Sequence, residues 1–156
     1  MIKDLKSAMT ASISEVLETM FYMPLEFEDQ GDLKKRGILD APDLLICKLE
    51  FKGTLAGHFI LIIPENVLIS MARDFMGEDR NSIKRVHTEG IIKEVANMVV
   101  GHMFSTLDDT SDFHLGIPQI IENGEFLKEL KENIPESHVI AESIEGFIVS
   151  IIQLND

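Results

Sequence analysis

Residues 88–107 read TEGIIKEVANMVVGHMFSTL, and the fold follows from how that stretch is folded. At about 100° per residue, Ile91, Ile92, Val95, Met98, Val99 and Met103 share one broad apolar face, the mark of a helix laid on a core. Roughly opposite lie Gly90, Glu94, Asn97 and Gly101. Glu94 and Asn97 are three apart and emerge as neighbours on one turn. Gly90 and Gly101 strip the ridge of bulk on either side of them. Glycine costs a helix interior about 0.5 to 1 kcal/mol against alanine, and asparagine is also disfavoured there. Something other than helix stability selects this stripe. One reading is an ordinary solvated face whose glycines let a neighbouring element of the same chain pack closely. The other is a low ridge that another protein's backbone approaches.

Working outward, residues 15–23 (EVLETMFYM) align with residues 94–102 (EVANMVVGH), and each stretch is followed later by an apolar hairpin. The chain reads as a diverged duplication. The first helix is expected from about Lys3 to Tyr22, with Leu5, Met9, Ile13, Val16, Leu17 and Met20 at helical spacing and Pro24 as its stop. A short strand near Leu25 to Glu28 and a polar loop, Asp29 to Asp40, follow. Leu44–Phe51 and Leu55–Ile63 are rich in β-branched and aromatic residues and form a hairpin about Lys52-Gly53-Thr54. Pro64 opens a second helix that ends at Gly77. After the 88–107 helix come a strand near Phe113 to Ile121, a short helix from Glu125 to Asn133, and strands near His138–Ser143 and Gly146–Leu154. Ile144-Glu145-Gly146 forms the turn between those last two. The expected fold is α+β, one pseudo-duplicated domain over residues 1–156. An antiparallel sheet packs against two long helices and a shorter one. The final strand, GFIVSIIQL, is almost wholly apolar. Placed at an edge it would pair with its own copy; placed centrally it would be buried on both faces.

Composition narrows the function. A chain of 156 residues buries about 70% of its unfolded surface around one core. Acidic residues number 27 against 14 basic ones, a formal net charge of −13, which opposes binding to nucleic-acid phosphates or anionic membranes. The longest apolar run, Phe59 to Pro64, is too short to span a bilayer, and Met1 to Asp4 does not open a secretory signal. A cytoplasmic location is expected. Cys47 is the single cysteine and sits in the apolar run LLICKL, so it reads as a buried, inert thiol. The histidines His58, His87, His102, His114 and His138 show no metal-ligand spacing, and no metal site is expected. Phosphate-cradling glycine loops and the G-x-S-x-G elbow are absent from the sequence.

The stretch EVANMVVG resembles the signature helix of the CheX/CheC/FliY family of chemotaxis phosphatases, which carry E-x-x-N on a long helix followed by apolar residues and a glycine. Three further segments match that family's order along nearly the whole chain: SEVLETMFYMP (14–24), CKLEFKGTLAGHFILIIP (47–64) and ENVLISMARDFMGED (65–79). The resemblance implies a phosphatase acting on the aspartyl phosphate of a CheY-type response regulator. Glu94 and Asn97 would be its catalytic pair, with Gly90, Lys93 and Gly101 in the partner-binding surface. Asn97 would orient the attacking water, and Glu94 would pair with the regulator's lysine. No cofactor of its own is implied, since Mg²⁺ is held by the partner. In the first helix Glu15 matches Glu94 but Glu18 stands where Asn97 would. One working site is therefore expected, the CheX arrangement, rather than the two of some CheC members; Glu15 and Glu18 read as a charged face. The resemblance also implies a homodimer through an edge strand. Asp108, Asp109 and Asp112 read as a solvated loop. A non-catalytic scaffold that docks a phosphorylated regulator is the alternative. A neutral amide takes no proton, so the rate should depend weakly on pH near neutrality. Complexes with an acidic regulator should tighten with added salt.

Overall fold

The computed structural model describes residues 2–28, 37–107, 113–122 and 124–155. Asp108, Asp109 and Asp112 lie outside the described residues, as do positions 29–36 of the first polar loop. In chain order the elements are α1 (Ile2–Phe21), β1 (Glu26–Glu28), β2 (Leu44–Lys52), β3 (Gly57–Pro64), α2 (Glu65–Met76), α3 (Arg85–Leu107), β4 (His114–Leu115), β5 (Gln119–Ile120), α4 (Gly124–Glu132), β6 (His138–Glu142) and β7 (Phe147–Leu154). One-turn 3₁₀ segments lie at Ile38–Asp40 and Arg80–Ser82.

All described strands form one antiparallel sheet in the order β1-β6-β7-β3-β2-β4, and β5 pairs with β2 beside β4. The order reads the same from both ends once the chain is divided between β3 and α3. Each half contributes a hairpin, β2–β3 or β6–β7, and lends its first strand to the hairpin of the other half. The two hairpins meet at β3 and β7, where Phe59 lies opposite Ile152 and Ile60 opposite Ile151. This topology is the duplication expected from the two EV-x-x motifs. At the β3–β7 seam the backbones come so close that a Cβ on Gly57 would overlap the carbonyl oxygen of Gln153, so only glycine serves there.

Alternation along the strands feeds two cores. Leu45, Cys47, Leu49 and Phe51 of β2, Phe59, Leu61 and Ile63 of β3, and Ile148 and Ile152 of β7 face α1, α2 and α3. Ile46, Ile60, Ile62, Ile140, Val149 and Ile151 face the other way, under Leu130 of α4 and the buried Ile38 and Leu39. A sheet covered on both faces needs strands apolar on both faces, which accounts for the unbroken run FILII.

That arrangement corrects the expectation about the final strand. β7 lies between β6 and β3, with Ile148 through Ile152 buried, so its apolar run fills the interior and offers no edge for a second copy. The edges are β1 on one side and β4 with β5 on the other. The strand expected over Phe113–Ile121 is two dipeptides: Gly116 still donates to the carbonyl of Glu50, and the register with β2 slips by one residue before Gln119, across Pro118, which has no N–H to give. An antiparallel β1–β1 pair centred on Phe27 would set Glu26 of each copy against Glu28 of the other, and like charges directly opposed are unfavourable.

Helix ends fall where the sequence punctuates them. Gly77 adopts φ 68° and donates to the carbonyl of Arg73 at 2.8 Å, closing α2. At the start of α3, the ring Nδ1 of His87 accepts the backbone N–H of Lys84 at 2.9 Å, a histidine version of the reach-back from the third helical position. Arg85 is drawn to Glu89 (2.9 Å), Glu65 (3.7 Å) and Glu122 (3.9 Å).

Candidate functional site

Helix α3 is the buried spine of the helical layer. Thr88, Ile91, Ile92, Val95, Ala96, Val99, Val100, Met103 and Phe104 are all buried, a wider arc than the sequence periodicity alone marks out, because α3 touches α1 and α2 as well as the sheet strands β2 and β3. The contact with α1 is pinned by the buried Ser12 hydroxyl, 2.8 Å from Nδ1 of His102. Below its second half, Phe104 packs between Phe51 (4.7 Å between ring centres) and Phe113 (4.1 Å). A helix so held presents its outward face as a fixed surface.

That face is narrow. Gly90, Glu94 and Gly101 are exposed and Asn97 is half-buried, and at 100° per residue the four fall within about 60° of arc. Glu94 and Asn97 sit one turn apart with Cβ atoms about 5–6 Å from each other. Among the described residues neither side chain takes part in a hydrogen bond or ion pair. The contrast is Arg85 on the same helix, which three carboxylates surround. A Cβ built on Gly90 or on Gly101 meets no atom within 4 Å. The glycines therefore do not serve packing within the described chain, the first of the two readings the sequence left open.

Lys93 borders the ridge on the Asn97 side, one turn before Asn97. It lies about 60° round the helix from Gly90, half-buried, and its charge is felt at Cys47 on β2. Burial dominates at Cys47 and pushes its thiol up to about 11, against the smaller opposing pull of Lys93 and a hydrogen bond from the backbone of Gln119. At pH 8 about one thiol in a thousand is then ionised. Iodoacetamide should leave native Cys47 unmodified over hours at pH 8 and label it promptly in denaturant; fast native labelling would refute the burial.

On the other flank of the ridge is a feature that sequence reasoning missed. The ends of α1 and α2 and the first half of α3 enclose an open groove of about 440 Å³, lined by Met20, Phe21, Phe75, Met76, Val86, His87, Gly90, Ile91, Glu94 and Met98. Its signal was present in the sequence as Phe75-Met76 just before the helix stop Gly77, two large apolar residues where a helix end is usually solvated. Among the described residues no cluster of histidine, cysteine, aspartate or glutamate could hold a metal ion, and none of their helices is long and apolar enough to cross a membrane. On α1, Glu15 and Glu18 are exposed and hydrogen-bond within the helix to Thr19 and Ser14.

A duplicated α+β fold of this topology defines a class of protein, and comparison with known families agrees on the fold. The family model described as "Chemotaxis phosphatase CheX" matches residues 45–142, and the chain belongs to that family. Among solved structures, the chemotaxis protein CheX of Vibrio vulnificus superposes with a TM-score of 0.73 at 17% identity, covering 96% of this chain and 95% of that one. The CheX of Desulfovibrio desulfuricans gives 0.69 at 13%, covering 97% and 99%. A CheX–CheY–BeF₃–Mg²⁺ complex from Borrelia burgdorferi gives 0.67 at 17%, covering 96% and 97%. No curated protein matches the chain.

Proposed function

We propose that the protein hydrolyses the aspartyl phosphate of a CheY-type response regulator at the α3 ridge. The observation that carries this reading is the pairing of an uncommitted carboxylate and an uncommitted amide, Glu94 and Asn97, on a ridge whose flanking glycines face open space. Membership of the CheX family and the existence of a CheX bound to CheY support the choice of substrate.

An acyl phosphate is already activated toward water, so the enzyme's task is placement. The Asn97 amide can accept a hydrogen bond from a water through its oxygen and donate one through its nitrogen, which aims the water's lone pair in line with phosphorus. Water attacks, the bond from phosphorus to the aspartyl oxygen breaks, and the carboxylate leaves with its electron pair. The regulator supplies Mg²⁺ to offset the phosphoryl charge; this chain needs no metal of its own. The ionised Glu94 draws the regulator's active-site lysine into a charge-assisted hydrogen bond and so fixes the docked geometry. Asn97, Glu94, Gly90 and Gly101 carry the site, and Lys93 flanks it.

The direct test is the decay of radiolabelled phosphate from a purified receiver domain with Mg²⁺, with and without the protein. Acceleration establishes the activity. Binding of the beryllofluoride-activated receiver without acceleration would instead identify a docking scaffold. Glu94→Gln keeps the shape and removes the charge; we expect receiver binding to weaken by about 1.5 to 3 kcal/mol, roughly tenfold to a hundredfold, measured by titration with the activated receiver.

A further inference from the structure

We infer that the apolar groove beside the ridge is the anchor site of the same receiver domain, which inserts a large aliphatic or aromatic side chain from the surface next to its phosphorylated aspartate. This rests on the receiver being the partner, and it adds where the affinity comes from.

The groove is continuous with the ridge. Gly90 and Glu94 belong to both the ridge and the groove wall, and Met98 lines the groove one position beyond Asn97. A receiver that brings its phosphoaspartate to Asn97 and its lysine to Glu94 must lay the adjoining part of its surface across Gly90, and the next surface it meets is the groove.

The ridge alone is too small an interface. A specific protein complex buries about 800 Å² on each partner, and a ridge of two polar side chains between two glycines presents a small fraction of that. What lies within reach on the groove side is apolar and open: Val86 is 70% exposed, Phe75 57%, Met20 39% and Met76 38%. Affinity at interfaces concentrates in a few apolar anchors seated in pockets and ringed by polar groups, and a volume of about 440 Å³ accommodates such an anchor.

The lining suits an apolar anchor. Met20, Met76 and Met98 supply three flexible, polarisable walls, which reshape around an incoming side chain without a fixed mould. The rim carries one carboxylate, Glu94, and one imidazole, His87, whose Nδ1 is occupied by the Lys84 N–H, so its Nε2 is the nitrogen left to donate. A protein of net charge −13 offers no long-range attraction to a receiver that is itself acidic, and short-range apolar burial does not depend on the charge of either partner.

Val86→Asp and Phe75→Ser test this. Val86 is at the second position of α3, where an acidic residue favours the helix, so loss of folding does not confuse the first variant; thermal unfolding checks the second, because Phe75 also packs on Phe21 at 5.9 Å. KM for the phosphorylated receiver and Kd for the receiver loaded with beryllofluoride and Mg²⁺ should both rise tenfold or more, with kcat at saturation within about twofold. Wild-type KM and Kd in both variants would overturn the groove proposal while leaving the phosphatase reading intact. A wild-type protein that neither binds nor dephosphorylates receivers would overturn both. A wild-type dimer in sedimentation that Val86→Asp dissociates would also overturn it, by giving the groove to a second copy.

Discussion

Asn97→Ala should slow dephosphorylation of the bound receiver by roughly thirtyfold to several hundredfold, about 2 to 4 kcal/mol in the barrier, the range seen when one orienting or charge-stabilising group is lost. Binding of the beryllofluoride-activated receiver should change little, because the amide's task is to orient a water and the docking contacts lie elsewhere, at Glu94 and the glycines. Nor should the fold suffer: Asn97 makes no hydrogen bond to another described residue, and alanine is the better helix former. A loss confined to kcat would therefore locate the defect in the chemical step. Asn97→Asp keeps the shape but replaces the amide donor with an anion facing a phosphoryl group, and it should be at least as damaging. An Asn97→Ala variant as fast as the wild type, measured by loss of label from the receiver, would remove Asn97 from the mechanism.

Gly90→Leu should show the opposite separation of stability from function. The Cβ position at Gly90 meets nothing within 4 Å, and leucine recovers the helix cost of glycine, so thermal unfolding should stay where it is or rise by the equivalent of about 0.5 to 1 kcal/mol. Docking, in contrast, should fail. A leucine beside Glu94 holds the receiver's backbone away from the helix, and the water on Asn97 no longer reaches phosphorus. Activity at a fixed low receiver concentration should drop at least about a hundredfold, some 3 kcal/mol in apparent affinity. A destabilised protein would mean that the glycine serves the fold; a stable and fully active one would mean that the ridge does not insert. Gly101→Leu offers the same comparison at the other end of the motif, where the Cβ position is equally open.

The candidate site was legible because it lies along one helix. Period 3.6 alone brings Gly90, Glu94, Asn97 and Gly101 together whatever the rest of the chain does, and two glycines and an asparagine inside a helix are locally unfavourable enough to ask for a reason. The duplication was legible for a related cause: two aligned motifs predict two aligned helices, and α1 does pack on α3. The groove was not legible in this way. Met20, Phe75, Val86 and Met98 come from three helices; Phe75-Met76 at the end of α2 is the one local hint, and nothing local says that the three helix ends leave space between them.

The final strand marks the same boundary. A continuous apolar stretch states that both faces of a strand are covered, but an edge strand and a central strand can carry the same residues, since edge or centre is decided by which backbones hydrogen-bond on either side. Here β6 and β3 flank β7, and the self-pairing argued from its sequence falls. By itself the sequence determined most of the elements and the composition of the ridge, both of which follow from spacing along a regular backbone. Only the tertiary structure decided the strand order, the open space around Gly90 and Gly101, and the groove, because each depends on contacts between segments distant in the chain.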